Sequence, residues 1–217
     1  MSDDLIFREV DEDVRRDRAT EMARRYGPYA IAAVVLVIAA TAAVVGWREY
    51  TASEQQAQGA RFEQAMILLE SEKPAEAAEI FEALVAEGSE GYRALAGQQA
   101  AAARAAAGDA AGALSAFDRI RRDDDLPDEQ RDLAAIKAAM LALKIEGADA
   151  ATERLQPVID GSGPFRGMAR EVQAAAQLTA GDSEGAIATL KALTQDATSS
   201  AGVKARAEQF LRALGAE

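Results

Sequence analysis

The chain has 217 residues, with 36 acidic and 24 basic side chains, a net charge of −12, and neither histidine nor cysteine. Without cysteine there is no disulfide, thiol nucleophile or lipid-modified N-terminal cysteine, and without histidine the commonest general base and metal ligand is gone, which argues against hydrolytic and zinc chemistry. An acidic chain with no basic stripe is also a poor match for nucleic acid, whose phosphates need Lys and Arg to replace counterions.

Residues 1–25 mix both charges, with Leu5, Ile6, Phe7, Val10 and Val14 as the apolar members. Two readings stand for this segment. One is a disordered tail, because so few apolar residues do not offset chain entropy; the other is a short amphipathic helix that makes a cytoplasmic contact or lies on a membrane surface.

From Tyr26 to Trp47 the chain carries no charge. At about 1.5 Å per residue such a run crosses the ~30 Å hydrocarbon core of a bilayer, so a membrane span is expected. Tyr26 and Tyr29 at one end, and Trp47 and Tyr50 at the other, put amphipathic rings at headgroup level, with Arg24, Arg25 and Arg48 as flanking charges. Gly27 and Pro28 are expected at the helix start, where a missing N–H costs least. A buried core helix and a cleaved signal peptide compete with this reading. The length of the run without a polar face speaks against the first. Against the second, despite a small-residue site at Ala40-Thr41-Ala42, stand the long acidic segment before it and the apolar run continuing through Val44 and Val45. Arg15, Arg16, Arg18, Arg24 and Arg25 precede the span, whereas Arg48 and Arg61 follow it, so the N-terminal side is expected in the cytoplasm and the C-terminal part outside it.

From residue 51 onward, Ala, Leu, Glu and Gln dominate with apolar residues at helical spacing, which predicts an all-α domain. Residues 101–114 (AAARAAAGDAAGAL) and 174–187 (AAAQLTAGDSEGAI) are identical at eight of fourteen positions with an offset of 73 residues, half of which is close to the helix–turn–helix period of ~34. Ala77, Phe81 and Leu84, then Ala113, Phe117 and Ile120, then Ala186, Leu190 and Leu193 each place one small and two large residues on one helical face. Gly108-Asp109 and Gly181-Asp182 close one helix and cap the next, and Pro74 sits at a helix start. In the third unit Ala151 and Leu155 fit, but Pro157 predicts a shortened or bent helix, and Gly161-Ser162-Gly163-Pro164 predicts a break. Ser200 to Leu214 reads as a capping helix, with Val203, Ala207, Phe210, Leu211 and Leu214 on its apolar side.

These units look like tetratricopeptide repeats, although the consensus Trp and Tyr of the first helix are missing. The expected architecture is therefore all-α: a cytoplasmic tail at 1–25, a single N-terminal transmembrane helix and its edges at 26–50, and a TPR-like α-solenoid of about four helix pairs with a C-terminal capping helix at 51–217, in the periplasm. The order of these parts, with Gly46-Trp47-Arg48 at the outer membrane edge and the Gly181-Asp182 turn late in the domain, resembles the YfgM-type ancillary subunit of the bacterial SecYEG translocon. That resemblance implies a single-pass inner-membrane protein at the translocon exit, associated with the membrane-anchored periplasmic chaperone PpiD and helping exported chains to fold. It offers no catalytic residues, and the longer N-terminal tail departs from it.

A solenoid of helix pairs offers a concave surface lined by the first helix of each pair. The candidate groove comprises Phe62, Met66 and Leu69 in the first unit, Gln98 and Ala102 in the second, and Glu171, Ala175 and Leu178 in the fourth, for an extended or helical peptide. Apolar stripes at helical spacing are usually core, and this is the favoured alternative for Phe62, Met66 and Leu69. The absence of basic residues at these positions argues against a carboxylate clamp. Asp123-Asp124-Asp125 with Asp128 and Glu129 lacks the alternation and glycine of a calcium loop and is expected to be a solvated loop capping the helix near Pro127. Glu63, Glu70, Glu76 and Glu79 read as an exposed face. No cofactor or metal is expected, and an enzyme would need converging carboxylates that this spacing does not provide. Two functions stand: an export-site interaction module, and a scaffold for another envelope assembly such as cell-division or outer-membrane biogenesis machinery, with self-association open in both.

Overall fold

The structure, a computed structural model, describes residues 3–216, with side chains from residue 22 onward except at positions 23, 27, 28, 30–32, 34 and 90. Among the described residues the regular structure is entirely helical: α1 (Asp3–Glu70), α2 (Pro74–Glu87), α3 (Glu90–Ala106), α4 (Ala110–Ile120), α5 (Asp128–Ile145), α6 (Ala148–Asp160), α7 (Arg166–Thr179), α8 (Ser183–Gln195) and α9 (Ala201–Ala213). The chain divides into two units, Met1–Gln56 and Ala57–Glu217, and α1 contributes to both.

In the first unit, α1 begins at Asp3 rather than at Gly27 and Pro28, which lie inside it. The residues before them include six arginines and three glutamates, good helix formers, and proline inside a membrane-type helix is tolerated. The side chains of Leu5, Ile6, Phe7, Val10 and Val14 fall outside the described ones. Within α1 the stretch Val35–Glu70 holds a window long and apolar enough to cross a membrane, and no residue of that window is buried. Its polar side chain Thr41 is satisfied internally, with Oγ1 donating to the Val37 carbonyl at 2.8 Å, as an apolar surrounding requires.

The second unit is built of helix pairs: the end of α1 with α2, α3 with α4, α5 with α6, α7 with α8, and α9 alone. From α2 to α9 each helix packs on its sequential neighbours, and beyond those α5 meets α7 and α7 meets α9, while the end of α1 meets α2 through Phe62 and Phe81, the nearest-neighbour pattern of a solenoid. The reason for the register is a row of small residues. Ala77, Ala113, Ala151 and Ala186 each lie three residues into a second helix and are fully buried. Ala65, Ala101, Ala139 and Ala174 each lie nine residues before a second helix starts, and are buried as well. Facing alanines let two helix backbones approach; the large side chains one and two turns on then fill the layer. Phe81, Phe117, Leu155 and Leu190 do this, followed by Leu84, Val158 and Leu193, each contributing about 1.5–3 kcal/mol by burial. Ile120 holds the same place half-buried.

The turns follow the sequence repeat. Gly108 and Gly181 take φ of 88° and 84°, the left-handed helix end that glycine adopts without a Cβ clash. Asp109 and Asp182 then accept from the amides of Gly112 and Gly185, each at 2.8 Å. A Cβ on Gly112 or Gly185 would stand 2.0 or 2.1 Å from the capping carboxylate, which explains why glycine recurs three residues after each aspartate. Pro74 opens α2 as expected.

Three expectations are corrected. First, of the shortened or bent helix expected at Pro157, the shortening does not occur: α6 contains Pro157 and runs to Asp160. Pro157 and Glu153 are both exposed, so the carbonyl that loses its amide partner is within reach of water. Second, α9 buries Val203, Ala207 and Leu211 but leaves Phe210 45% and Leu214 36% exposed; in the described chain no further helix stacks beyond α9 to cover them. Third, Pro127 precedes α5 without a side-chain cap. The carboxylates of Asp124 and Asp128 are drawn instead to Arg131, although Asp128 and Glu129 still stand in the first turn, where the helix dipole favours negative charge.

Truncating Leu190, 1% exposed in the α8–α9 core, to alanine is expected to cost about 2–5 kcal/mol, whereas Asp182→Ala, which removes only a cap, costs about 1 kcal/mol. Urea unfolding of the two variants should rank them in that order; equal shifts would mean that the last pair does not rest on the Leu190 layer.

Candidate protein-interaction surface

The first helix of each pair buries one side and leaves the other open. The candidate groove residues occupy three rows of that helix, twelve, eight and five positions before each second helix. The first row is Phe62, Gln98, Ile136 and Glu171; the second is Met66, Ala102, Met140 and Ala175; the third is Leu69, Ala105, Leu143 and Leu178. All eight residues expected in the groove are half-buried.

Several of them already have partners. Phe62, Met66 and Leu69 pack against the core of the first two pairs. The Phe62 ring meets Phe81 edge-on at 5.2 Å and Tyr92 at 6.2 Å, an arrangement worth about 0.5–1.5 kcal/mol beyond burial. Gln98 donates from Nε2 to the Gln130 carbonyl at 3.0 Å, tying α3 to α5. Glu171 accepts two hydrogen bonds from Arg206, both at 2.7 Å, tying α7 to α9.

The rows also identify what the sequence reading missed. The third pair supplies Ile136, which is buried, and Met140, which is 52% exposed. Leu95 on α3 is 56% exposed and Ile67 on α1 is 55% exposed. Lys137 is half-buried, its Nζ 5.4 Å from the centroid of the Phe117 ring, and burial pushes its ammonium below the usual lysine range. For Ile136, Lys137 and Met140 the signal was present as an offset from Ala151, but Pro157 obscured that unit; Leu95 and Ile67 lie outside the three rows. Glu63, Glu70, Glu76 and Glu79 are exposed, as expected. Among the described residues no group of three acidic side chains is placed to hold a metal, and Asp123, Asp124 and Asp125 stand in solvent.

The shape of the surface depends on the angle between pairs, and a charge cluster helps to set it between the second and third. Asp118 on α4 accepts from Arg154 on α6, with Oδ2 2.9 Å from Nη2, and from Arg121 of the same chain turn. Arg154 also reaches Glu146 at 2.8 Å. The Asp118, Arg121 and Arg154 side chains are 13%, 16% and 11% exposed. Burial raises the Asp118 carboxyl, but the hydrogen bonds from Arg154 and Arg121 outweigh it and hold the group below the ordinary carboxylate range.

The membrane-edge candidates lie in the first unit. Arg24, Arg25, Tyr26, Tyr29, Trp47, Arg48 and Tyr50 are all exposed, and the Trp47 and Tyr50 rings are 6.4 Å apart.

An array of helix pairs with nearest-neighbour packing and an open first-helix face defines a repeat-type protein-interaction module. The chain belongs to the tetratricopeptide repeat-like domain family, whose model matches residues 23–214. Two crystal structures of the nearly identical TPR-like repeats of a Podosopora anserina protein described as a kinesin light chain, one a variant of the other, are similar in fold. Both are 19% identical over 69% of this chain and 84% of theirs, with TM-scores of 0.53 and 0.52. Curated proteins gave no match.

Asp118→Ala, which leaves Arg121 without a carboxylate and Arg154 with Glu146 alone, is expected to cost about 3 kcal/mol at neutral pH, the lower end for a broken buried pair. Because the folded carboxyl lies below its unfolded value of about 3.9, its stabilisation is complete above that pH and is lost as pH falls through the lower, folded value. Urea titrations of wild type and variant at pH 7 and pH 3 should therefore show a smaller difference at pH 3; a difference that grows in acid would contradict the assignment.

Proposed function

We propose that this protein is a single-pass protein of the bacterial inner membrane that holds a TPR-like interaction module in the periplasm, ancillary to the SecYEG translocon and a PpiD-like anchored chaperone, where it helps exported chains. In this reading residues 1–25 are the cytoplasmic tail, 26–50 the span and its edges, and 51–217 the periplasmic module. The observation that carries it is one chain joining an apolar helical window with no buried residue to a TPR-like array. The arginine excess before the span supports a cytoplasmic N-terminus, and the aromatic and basic residues at both edges support an anchor that is retained. A tether of this kind keeps the module at high local concentration beside its partners, so moderate affinity for each client suffices.

The groove we propose is formed by Phe62, Met66, Leu69, Gln98, Ala102, Glu171, Ala175 and Leu178, with Met140 completing its middle. The packing of Phe62, Met66 and Leu69 against the core favours a second reading, in which a firmer surface holds one folded partner of another envelope assembly. Neither reading assigns catalysis to the chain.

Mild-detergent purification of the intact chain, read by mass spectrometry against a control lacking residues 1–50, separates the two. Recovery of translocon subunits and an anchored prolyl isomerase-like chaperone with the intact chain, and their loss from the control, is the expected result. Recovery of a single different envelope assembly, without translocon, would overturn the export reading.

A further inference from the structure

On α5, Leu133, Lys137, Met140 and Lys144 fall within about 60° of one another around the helix, opposite the buried Ala135, Ala139 and Ala142. Met140 and Lys144 are exposed and Lys137 is half-buried. The arginines of the repeat junctions are taken up by carboxylates, Arg104 by Glu82, Arg154 by Asp118 and Arg206 by Glu171. Among the described residues neither Lys137 nor Lys144 is in an ion pair; Lys137 has only the Phe117 ring. In a chain with a net charge of −12, this is a cationic stripe around an exposed apolar side chain.

The same molecule carries the complement. On the part of α1 that belongs to the repeat unit, Glu63, Ile67 and Glu70 are all exposed and also fall within about 60° of one another. In each stripe the outer charges are seven residues, or about 10.5 Å, apart. The apolar residue lies three positions after Lys137 and three positions before Glu70. Laid antiparallel, the two stripes coincide: Lys137 faces Glu70, Met140 faces Ile67, and Lys144 faces Glu63.

We propose that the α5 stripe docks the Glu63–Ile67–Glu70 face of a second copy of this chain. The contact is heterologous, since two different patches meet, so it builds a ring or an open row of molecules rather than a two-fold dimer. Exposed Ile67 and Met140 supply the apolar centre, and the flanking charges favour unlike stripes over like ones; the antiparallel orientation follows from the apolar residues, which coincide only that way round. The inference concerns the repeat unit alone and goes beyond the translocon reading.

The chain has no cysteine, so single cysteines report on this contact without background. Full-length chains carrying Ile67→Cys and Met140→Cys, tagged differently and mixed in the same nanodiscs, should form a disulfide-linked pair under mild oxidation. Either variant alone should link at least about tenfold more slowly, because like stripes repel. Adding Lys144→Glu to the Met140→Cys chain should lower the mixed yield about tenfold, and adding Glu63→Lys to the Ile67→Cys chain should restore it. Glu70→Lys in place of Glu63→Lys should not restore it, because in the antiparallel register Glu70 faces Lys137. Circular dichroism of each variant, all at surface positions, checks that the fold is kept. Equal linking of like and unlike variants, no mixed product, or equal rescue by both glutamate reversals would each overturn the proposal. Binding of the stripe by anionic lipid would show as a mixed yield that vanishes on adding anionic lipid to zwitterionic discs, and would overturn it likewise. The detergent purification described above can fail or succeed without altering any of these outcomes.

Discussion

The close approach of helices at facing alanines is the constraint on which the repeat unit depends. Ala65 with Ala77, Ala101 with Ala113, Ala139 with Ala151 and Ala174 with Ala186 occupy the same two places in four successive pairs, and all are buried. A larger side chain at either place would force the helices apart and empty the layer filled by Phe81, Phe117, Leu155 and Leu190, because interiors packed near crystal density do not absorb extra methylenes without strain. This also accounts for an alanine-rich sequence that lacks the large aromatic residues of the repeat consensus. Where small residues set the spacing, the layer is filled from the second helix of each pair, by an aromatic in Phe81 and Phe117 and by an aliphatic in Leu155 and Leu190.

Charge plays a secondary but regular part. Arg61 with Glu87, Arg104 with Glu82, Arg154 with Asp118 and Arg206 with Glu171 each join residues on different helices. The exposed pairs are worth little singly. The Asp118 cluster differs because its members are mostly withdrawn from water, so loss of one leaves a costly unpaired charge. Acidic residues outnumber basic ones, and among the described residues Glu63 and Glu70 on α1 and Lys137 and Lys144 on α5 stand outside these ion pairs.

Much of this was legible in the sequence, and the reasons differ by element. The helix class, the four pairs and the Gly-Asp turns follow from local rules: propensity, a 3.6-residue apolar period, and glycine's access to left-handed backbone. Ala77, Ala113 and Ala186 could be placed in the core because each repeats the same spacing to two large residues. The third pair was harder to read, since Pro157 signals a break that the helix avoids by leaving the orphan carbonyl in solvent. Misjudging that helix hid the row position of Met140. Phe210 was misplaced for a different reason: helical spacing places it on the flank of the buried stripe, and whether that flank is covered depends on whether another helix follows. The polar groove candidates Gln98 and Glu171 were found by spacing, but their partners Gln130 and Arg206 lie about one repeat away, a distance at which sequence pattern carries no pairing information.

The open face of the first helices is composite. Each of its rows takes one residue from each pair, while the alanine rows behind it stay constant. A solenoid therefore separates two demands that a single globular core would couple. The residues that set the helix spacing are fixed by packing, whereas Met66, Ala102, Met140 and Ala175, one position along from the buried alanines, differ in size and exposure without disturbing that spacing. The same separation explains why the α1 and α5 faces can carry opposite charge at equivalent positions, Glu63 and Glu70 on one, Lys137 and Lys144 on the other, within one repeat frame. Recognition chemistry in this chain resides in the variation among repeats, and the fold resides in what they share.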